Sequence, residues 1–399
     1  MNHLFLLSVI AMTADPVKFE RHQIDTFPAG YQVAVADVNA DGRPDVIALS
    51  TEADRVDWYE NPTWQRHLVA RTPRNIDLAP CDVDGNGRLE IALASGFYFS
   101  QSTRGGDIQL LSRPAKPGEC WPAHPIAVDP VVHRLRWGDL DGDGRPELVH
   151  APLFGPGSNG PADPKPAHLW AFRMPAKPLA EAWETWKIDE TLTVLHGLHV
   201  SDLDGDGRDE ILTASYEGIH RFDFEGKGRA GRWQKVLISP GAEPVDAKPG
   251  ASRGSSEVVP GKLGLGRPLL AAIEPWHGHQ VVVYTPAAEE GRWRRRVLDD
   301  TLDQGHALAA ADFDGDGVDE IVAGWRGGEG GLVLYDPADG AGSRFTKVEI
   351  DRGVTVDAAV AADINLNGRL DLVVIAGRSN RLLWYENRPA SPAHQKSRR

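Results

Sequence analysis

Asp139-Leu-Asp-Gly-Asp-Gly-Arg-Pro-Glu147 sits between two short apolar runs, and the same pattern of acids and glycines returns along the chain. Its copies begin at Asp37, Asp82, Asp139, Asp202, Asp312 and Asp363. Neighbouring copies lie about 45 to 63 residues apart, except for one double interval between Asp202 and Asp312. The gap holds a seventh copy without its acids: Gly261-Lys-Leu-Gly-Leu-Gly-Arg-Pro-Leu-Leu270 overlays Asp139–Leu148 position for position. A unit repeated at this length is the signature of a repeat architecture.

Each acidic loop joins two apolar segments, such as Tyr31-Gln-Val-Ala-Val-Ala36 before it and Glu320-Ile-Val-Ala-Gly324 after it. Short apolar runs bounded by Gly or Pro read as strands. Two more strand-like runs follow in each unit, exemplified by Val56-Asp-Trp-Tyr-Glu60 and Trp64-Gln-Arg-His-Leu-Val69. Four antiparallel strands in each of seven units predict an all-β fold, a single seven-bladed β-propeller over residues 17–388. The last unit ends at Trp384-Tyr-Glu-Asn387 without its fourth strand. Phe19-Glu-Arg-His-Gln-Ile24 matches that missing strand, so the N-terminal strand is expected to close the ring and remove exposed sheet edges.

Six acidic loops in phase resemble the FG-GAP (VCBS-type) repeat propellers, related to the integrin α-subunit head. The Phe-Gly-Gly-Ala-Pro signature is absent, and Leu153-Phe-Gly-Pro156 is its nearest echo.

In each loop the side chains at positions one, three, five and nine can converge on one ion, while a glycine at position six permits the sharp turn. The ligand sets are Asp37, Asn39, Asp41 and Asp45; Asp82, Asp84, Asn86 and Glu90; Asp139, Asp141, Asp143 and Glu147; Asp202, Asp204, Asp206 and Glu210; Asp312, Asp314, Asp316 and Glu320; and Asp363, Asn365, Asn367 and Asp371. Hard oxygen donors in that number select Ca2+ over zinc. An EF-hand needs its last acid at position twelve and flanking helices, so that reading fails. Up to six structural calcium ions are expected, the Asp363 loop with only two carboxylates being the weakest. Their charge would offset most of the net −14.

That acidity leaves no basic face for nucleic acid. Residues 1–14 have a short apolar core and read as an export signal, too short to span a bilayer. A secreted or periplasmic protein is expected, with no membrane span and a disordered tail over residues 389–399. Cys81 and Cys120 read as two free thiols.

In a propeller the start of the first strand and the end of the second meet near the axis, on the face opposite the acidic loops. Six residues before the first acid of each loop stand Tyr31, Ile76, His133, His196, Ser255, His306 and Asp357. The ends of the second strands bring Glu274-Pro-Trp-His277 and Trp325 to the same face, and Arg253-Gly-Ser-Ser-Glu257 enters it from the fifth unit. Two Gly/Pro-rich insertions, Gly155–Pro166 and Pro240–Gly254, fall there too. An open funnel lined by histidines and acids is the expectation, with Trp276 and Trp325 placed to stack on a sugar.

The stretch from Arg253 through Glu274-Pro-Trp-His277 to Gln304-Gly-His306 is similar to the propeller of the aldos-2-ulose dehydratase family. The resemblance implies elimination of water from a keto- or anhydro-sugar. It casts His196, His306, His133 and His277 as holders of a second divalent metal or as proton carriers, and Glu257 or Glu274 as the base. Tyr31 belongs to the same catalytic group, and Arg253, Asp357, Trp276 and Trp325 would contact substrate. The competing reading is a non-catalytic FG-GAP propeller that presents its loops to a glycan or a protein partner.

Overall fold

The computed structural model describes residues 17–389 apart from 115, 117, 229, 245 and 290. The expected leader over residues 1–14 and the tail from residue 390 lie outside the described residues. Seven four-stranded antiparallel sheets stand around one axis. Their innermost strands are Gly30–Ala36, Asp77–Cys81, Arg134–Gly138, Gly197–Ser201, Glu257–Leu263, Gly305–Ala311 and Ala358–Ala362. Each of these strands contacts the next, and the last contacts the first, so the blades form a closed ring. In the seventh sheet Lys18–Thr26 pairs with Arg381–Arg388, so that sheet holds both the first and the last strand. Among the described residues the only helical turns are two short 3-10 segments, Gly160–Ala162 and Gly264–Gly266.

Burial explains which runs read as strands. The second strands Asp45–Ser50, Glu90–Ser95, Glu210–Ser215 and Asp371–Ala376 are buried at every residue. Neighbouring blades cover both faces of these strands, which is why they are continuous apolar runs rather than alternating ones. Outer strands such as Glu184–Asp189 are largely wet and keep charged residues. Between blades lie apolar layers such as Ile47, Leu49, Val56, Leu78, Ile91 and Leu93. Truncating one such fully buried Ile or Leu to Ala costs about 2–5 kcal/mol. Cys81 and Cys120 are both unpaired.

In all seven sheets the pairing of third and fourth strands slips by one residue. In three places the residue at the end of the fourth strand joins one blade to the next. Tyr59 Oη donates to Asp25 Oδ2 at 2.7 Å, Tyr335 Oη to Asp299 Oδ2 at 2.6 Å, and Tyr385 Oη to Asp351 Oδ2 at 2.8 Å. Where that fourth-strand residue is Ala70 or Ala127, the facing third-strand position holds Leu111 or Phe172, neither with a hydroxyl to satisfy. The fifth blade keeps Tyr284, but the fourth-strand position before it is Ser239.

Candidate functional site

The acidic loops fold as sequence spacing requires. Asp139 Oδ1 accepts the amides of Gly142 (2.9 Å) and Asp143 (3.1 Å), and its Oδ2 accepts that of Gly144 (2.8 Å). Gly144 sits at φ +84, which a side chain would resist. Asp139, Asp141 and Glu147 bring oxygens within 4.8 Å of one another, as do Asp82, Asp84 and Glu90, and Asp202, Asp204 and Asp206. One oxygen of Asp141 is buried with no partner among the described residues. Burial pushes Glu90, Glu147 and Glu210 up to about 7, and Glu320 up to about 9. Crowded carboxylates anchored on a buried glutamate, as in the Asp139 loop, suit a hard cation.

The six loops are not alike. Where position nine is aspartate, both carboxylate oxygens are taken by backbone amides. Asp45 accepts from Val38 and Asn61, and Asp371 from Ile364 and Asn387. The longer glutamates make one such bond, as Glu147 does to Leu140, and keep the other oxygen for the loop. Third-strand acids also crowd two of the loops: Asp336 stands near Asp316 and Glu320, and Asp223 near Asp204 and Glu210. These are neighbours that reading the loops alone misses; their signal is an acid directly after Tyr335 or Phe222.

Near the axis, imidazoles from different blades meet. His196 Nε2 and His277 Nε2 are 2.9 Å apart, and the ligand atoms of His196, His277 and His306 lie within 4.8 Å of one another. Tyr31 Oη stands 3.1 Å from His133 Nε2 and 3.2 Å from His306 Nε2. The outward nitrogens are anchored. His306 Nδ1 donates to the Asp357 carbonyl at 2.6 Å, and His196 Nδ1 lies 3.0 Å from the Ser256 carbonyl and 2.9 Å from Glu257 Oε1. With those protons held outside, Nε2 of both rings turns a lone pair to the centre, the arrangement typical of metal-ligating histidine. His277 is held differently: Arg326 Nη2, which can only donate, approaches its Nδ1 at 3.3 Å and its Nε2 at 3.4 Å. His277 also adopts φ +47, a strained conformation of the kind found at functional sites.

Charge reinforces this. Burial drives His133, His277 and His306 well below the ordinary imidazole range, helped by Arg134 at all three and by Arg326 at His277 and His306, and burial lowers His196 despite Glu257. The rings are neutral near pH 7, with lone pairs available for a cation or a proton. Burial alone would raise Glu257, but Arg134 at 3.1 Å and His196 outweigh it and keep the carboxylate ionised. Asp357 is pushed up to about 6 by burial, against the Gly377 amide and Arg326. Among the described residues, Arg134 Nη1 and Arg326 Nε are buried donors without partners. Neither arginine was among the residues expected from sequence. Arg134 directly follows His133, and Arg326 directly follows Trp325.

Other expectations fail on geometry. His133, His196 and His306 are only 1–2% exposed, so they do not line an open funnel. Phe97 packs on His133, and Trp276 stacks on His277 at 4.5 Å. The two insertions close in beside them, with Gly250 against Ala162 and Tyr216 Oη bonded to the Gly250 carbonyl. A cavity of about 400 Å3 reaches Arg134, Glu257, His306 and Asp357 from along the axis, between inner strands. Glu274 points away from the imidazoles. Its buried carboxylate accepts from Tyr284 and from Arg295 at 2.7 and 2.9 Å, supplying the acid that Ser239 does not. The Trp325 ring packs over Gly331 in its own blade, and Arg253 lies 4.2 Å over the Tyr216 ring, so neither faces the centre.

The aldos-2-ulose dehydratase β-propeller domain family matches residues 105–287, and the FG-GAP-like repeat family matches residues 37–93 and 312–374. Aldos-2-ulose dehydratase of Phanerodontia chrysosporium is 24% identical over 389 residues, covering 90% of this chain and 41% of that protein. Integrin alpha pat-2 of Caenorhabditis briggsae is 34% identical over 134 residues, 30% of this chain and 11% of that protein. The chain thus spans less than half the length of either relative. A solved structure of BBS1N in complex with ARL6DN aligns with TM-score 0.57 at 12% identity, covering 94% of this chain and 98% of that one, which speaks to fold alone. The chain is a seven-bladed β-propeller with FG-GAP-like repeats, similar to the propeller of aldos-2-ulose dehydratase.

Proposed function

We propose that the imidazole centre holds a divalent metal and eliminates water from a keto- or anhydro-sugar, within a secreted or periplasmic propeller stabilised by calcium in its acidic loops. The observation that carries this reading is the meeting of His196, His277 and His306 with the outer N–H groups of two of them already anchored. The likeness to a dehydratase propeller supports the reaction class. His196, His277 and His306 would hold the metal, which supplies positive charge for the sugar's carbonyl oxygen.

The chain's own groups perform the proton transfers. Glu257, ionised and lining the cavity, takes the proton from the carbon beside the carbonyl. Those electrons form the new C=C bond as hydroxide leaves the next carbon. Tyr31, whose pKa burial raises, keeps its proton at neutral pH and donates it to the departing oxygen, so water is released. Arg134 and Arg326 offer guanidinium donors to the oxygen on which charge grows.

The test is to incubate the protein with keto- and anhydro-sugars and follow conjugated-enone absorbance, comparing wild type with His196→Ala and His306→Ala. Turnover lost in both variants supports the reading. No turnover in wild type, with glycan binding on an array, supports the second reading of a non-catalytic binding propeller, which the FG-GAP-like repeats favour.

A further inference from the structure

The fifth blade replaces its acidic loop with Gly261–Gly266, which carries Lys262 and no acid. Arg267, Arg294 and Arg296 line one cavity of about 450 Å3 between the fifth and sixth blades, with Leu263, Pro286 and Ser343. Arg294 and Arg296 lie two residues apart on the strand Trp293–Asp299, so their side chains leave the same face. Arg267 forms another wall.

None of the three guanidiniums has a carboxylate partner among the described residues. Arg296 donates to the carbonyls of Gly342 (3.0 Å) and Ser343, and Arg267 to those of Gly264 (3.3 Å) and Gly340. Arg294 is exposed. The equivalent arginine in other loops behaves otherwise. Arg145 reaches the Pro175 carbonyl of its own blade, and Arg208 pairs with Asp206 of its own loop. Arg267 instead crosses to the sixth blade. Beside it Leu265, at φ +65, is fully exposed at the tip of the turn.

A chain of net charge −14 repels polyanions over most of its surface, so three uncompensated guanidiniums around one hollow form a local exception. Guanidinium forks match planar and tetrahedral oxyanions, giving two parallel hydrogen bonds to each. We propose that this groove binds an oxyanion, the carboxylate, sulfate or phosphate of a ligand outside this chain.

The test is calorimetric titration of the full chain, at constant ionic strength, with sodium sulfate, sodium phosphate and a short polygalacturonate oligomer. At least one should saturate with one site per chain. Arg294→Gln/Arg296→Gln should weaken it at least tenfold, and Arg294→Gln alone should weaken it measurably with an unchanged melting temperature. An oligomer binding more than tenfold tighter than the inorganic ions assigns a chain-borne carboxylate; equal or weaker binding assigns the free ion. No saturable binding by any of the three, or equal binding by the double variant and wild type, overturns the proposal.

Discussion

His196 and His277, from the fourth and fifth blades, face each other Nε2 to Nε2 at 2.9 Å. Two bare lone pairs repel at that distance, so a proton or a cation must lie between them. Because His196 keeps its own proton on Nδ1, toward the Ser256 carbonyl and Glu257, a proton between the rings belongs to His277.

Cobalt should therefore report on the centre directly. Protein stripped of metal and loaded with Co2+ should show visible d–d bands from nitrogen ligands. His196→Ala or His306→Ala should abolish them while circular dichroism stays unchanged. Identical spectra in variants and wild type would place the ion elsewhere.

Calcium removal should destabilise the ring. A ligand present at a hundredfold its Kd contributes about 2.7 kcal/mol per site. Chelation should thus lower the melting temperature by about 5 °C or more. Asp139→Asn should reduce the calcium-dependent part of that shift more than Asp37→Asn, because Asp45 is already engaged by two amides and Glu147 by one. Equal shifts for both variants would contradict the division of the loops.

Glu274 is expected to matter for stability and not for turnover. Glu274→Gln leaves Tyr284 and Arg295 without their charged acceptor and should cost about 1.5–3 kcal/mol in urea unfolding. Adding Ser239→Asp restores an acid where Asp25, Asp299 and Asp351 stand in other blades, and should recover part of the loss. A collapse of turnover with unchanged stability would return Glu274 to the catalytic set.

The contribution of His199 and His220 to stability should fall on mild acidification. Burial, with Arg136 near one and Lys235 near the other, pushes His199 and His220 down to about 4. The unfolded chain protonates both near 6.5. As pH drops from about 6.5 to about 4 the unfolded state binds more protons, so unfolding becomes easier, and below about 4 this contribution is constant. His199→Gln should flatten that slope in pH-dependent urea titrations; an unchanged slope would show that His199 is not responsible.

The sevenfold repeat was readable because each unit carries the same loop at the same offset, and a propeller turns equal offsets into equal radial positions. That rule also brought Tyr31, His133, His196, His306 and Asp357 into one neighbourhood. It could not supply depth. Whether a position near the axis lies open or closed depends on long loops whose course no periodicity fixes, and Phe97, Trp276 and the insertion containing Gly250 cover the rings. Nor could it supply side-chain direction at strand ends. Glu274 turned outward because Tyr284 needed an acid that Ser239 cannot be, a dependence between residues on three different strands. Arg134 and Arg326 carry no signal in the sequence, because arginine is common on surfaces and nothing local marks one that is drawn inward.

The positions six residues ahead of each loop hold Tyr31, Ile76, His133, His196, Ser255, His306 and Asp357, one from every blade. Tyr31 and Ile76 pack into the apolar layers between blades, and the other five positions hold polar side chains. The scaffold thus behaves like a dial with five polar stops, and unrelated chemistries could be written at its centre while the surrounding wheel is left as it is.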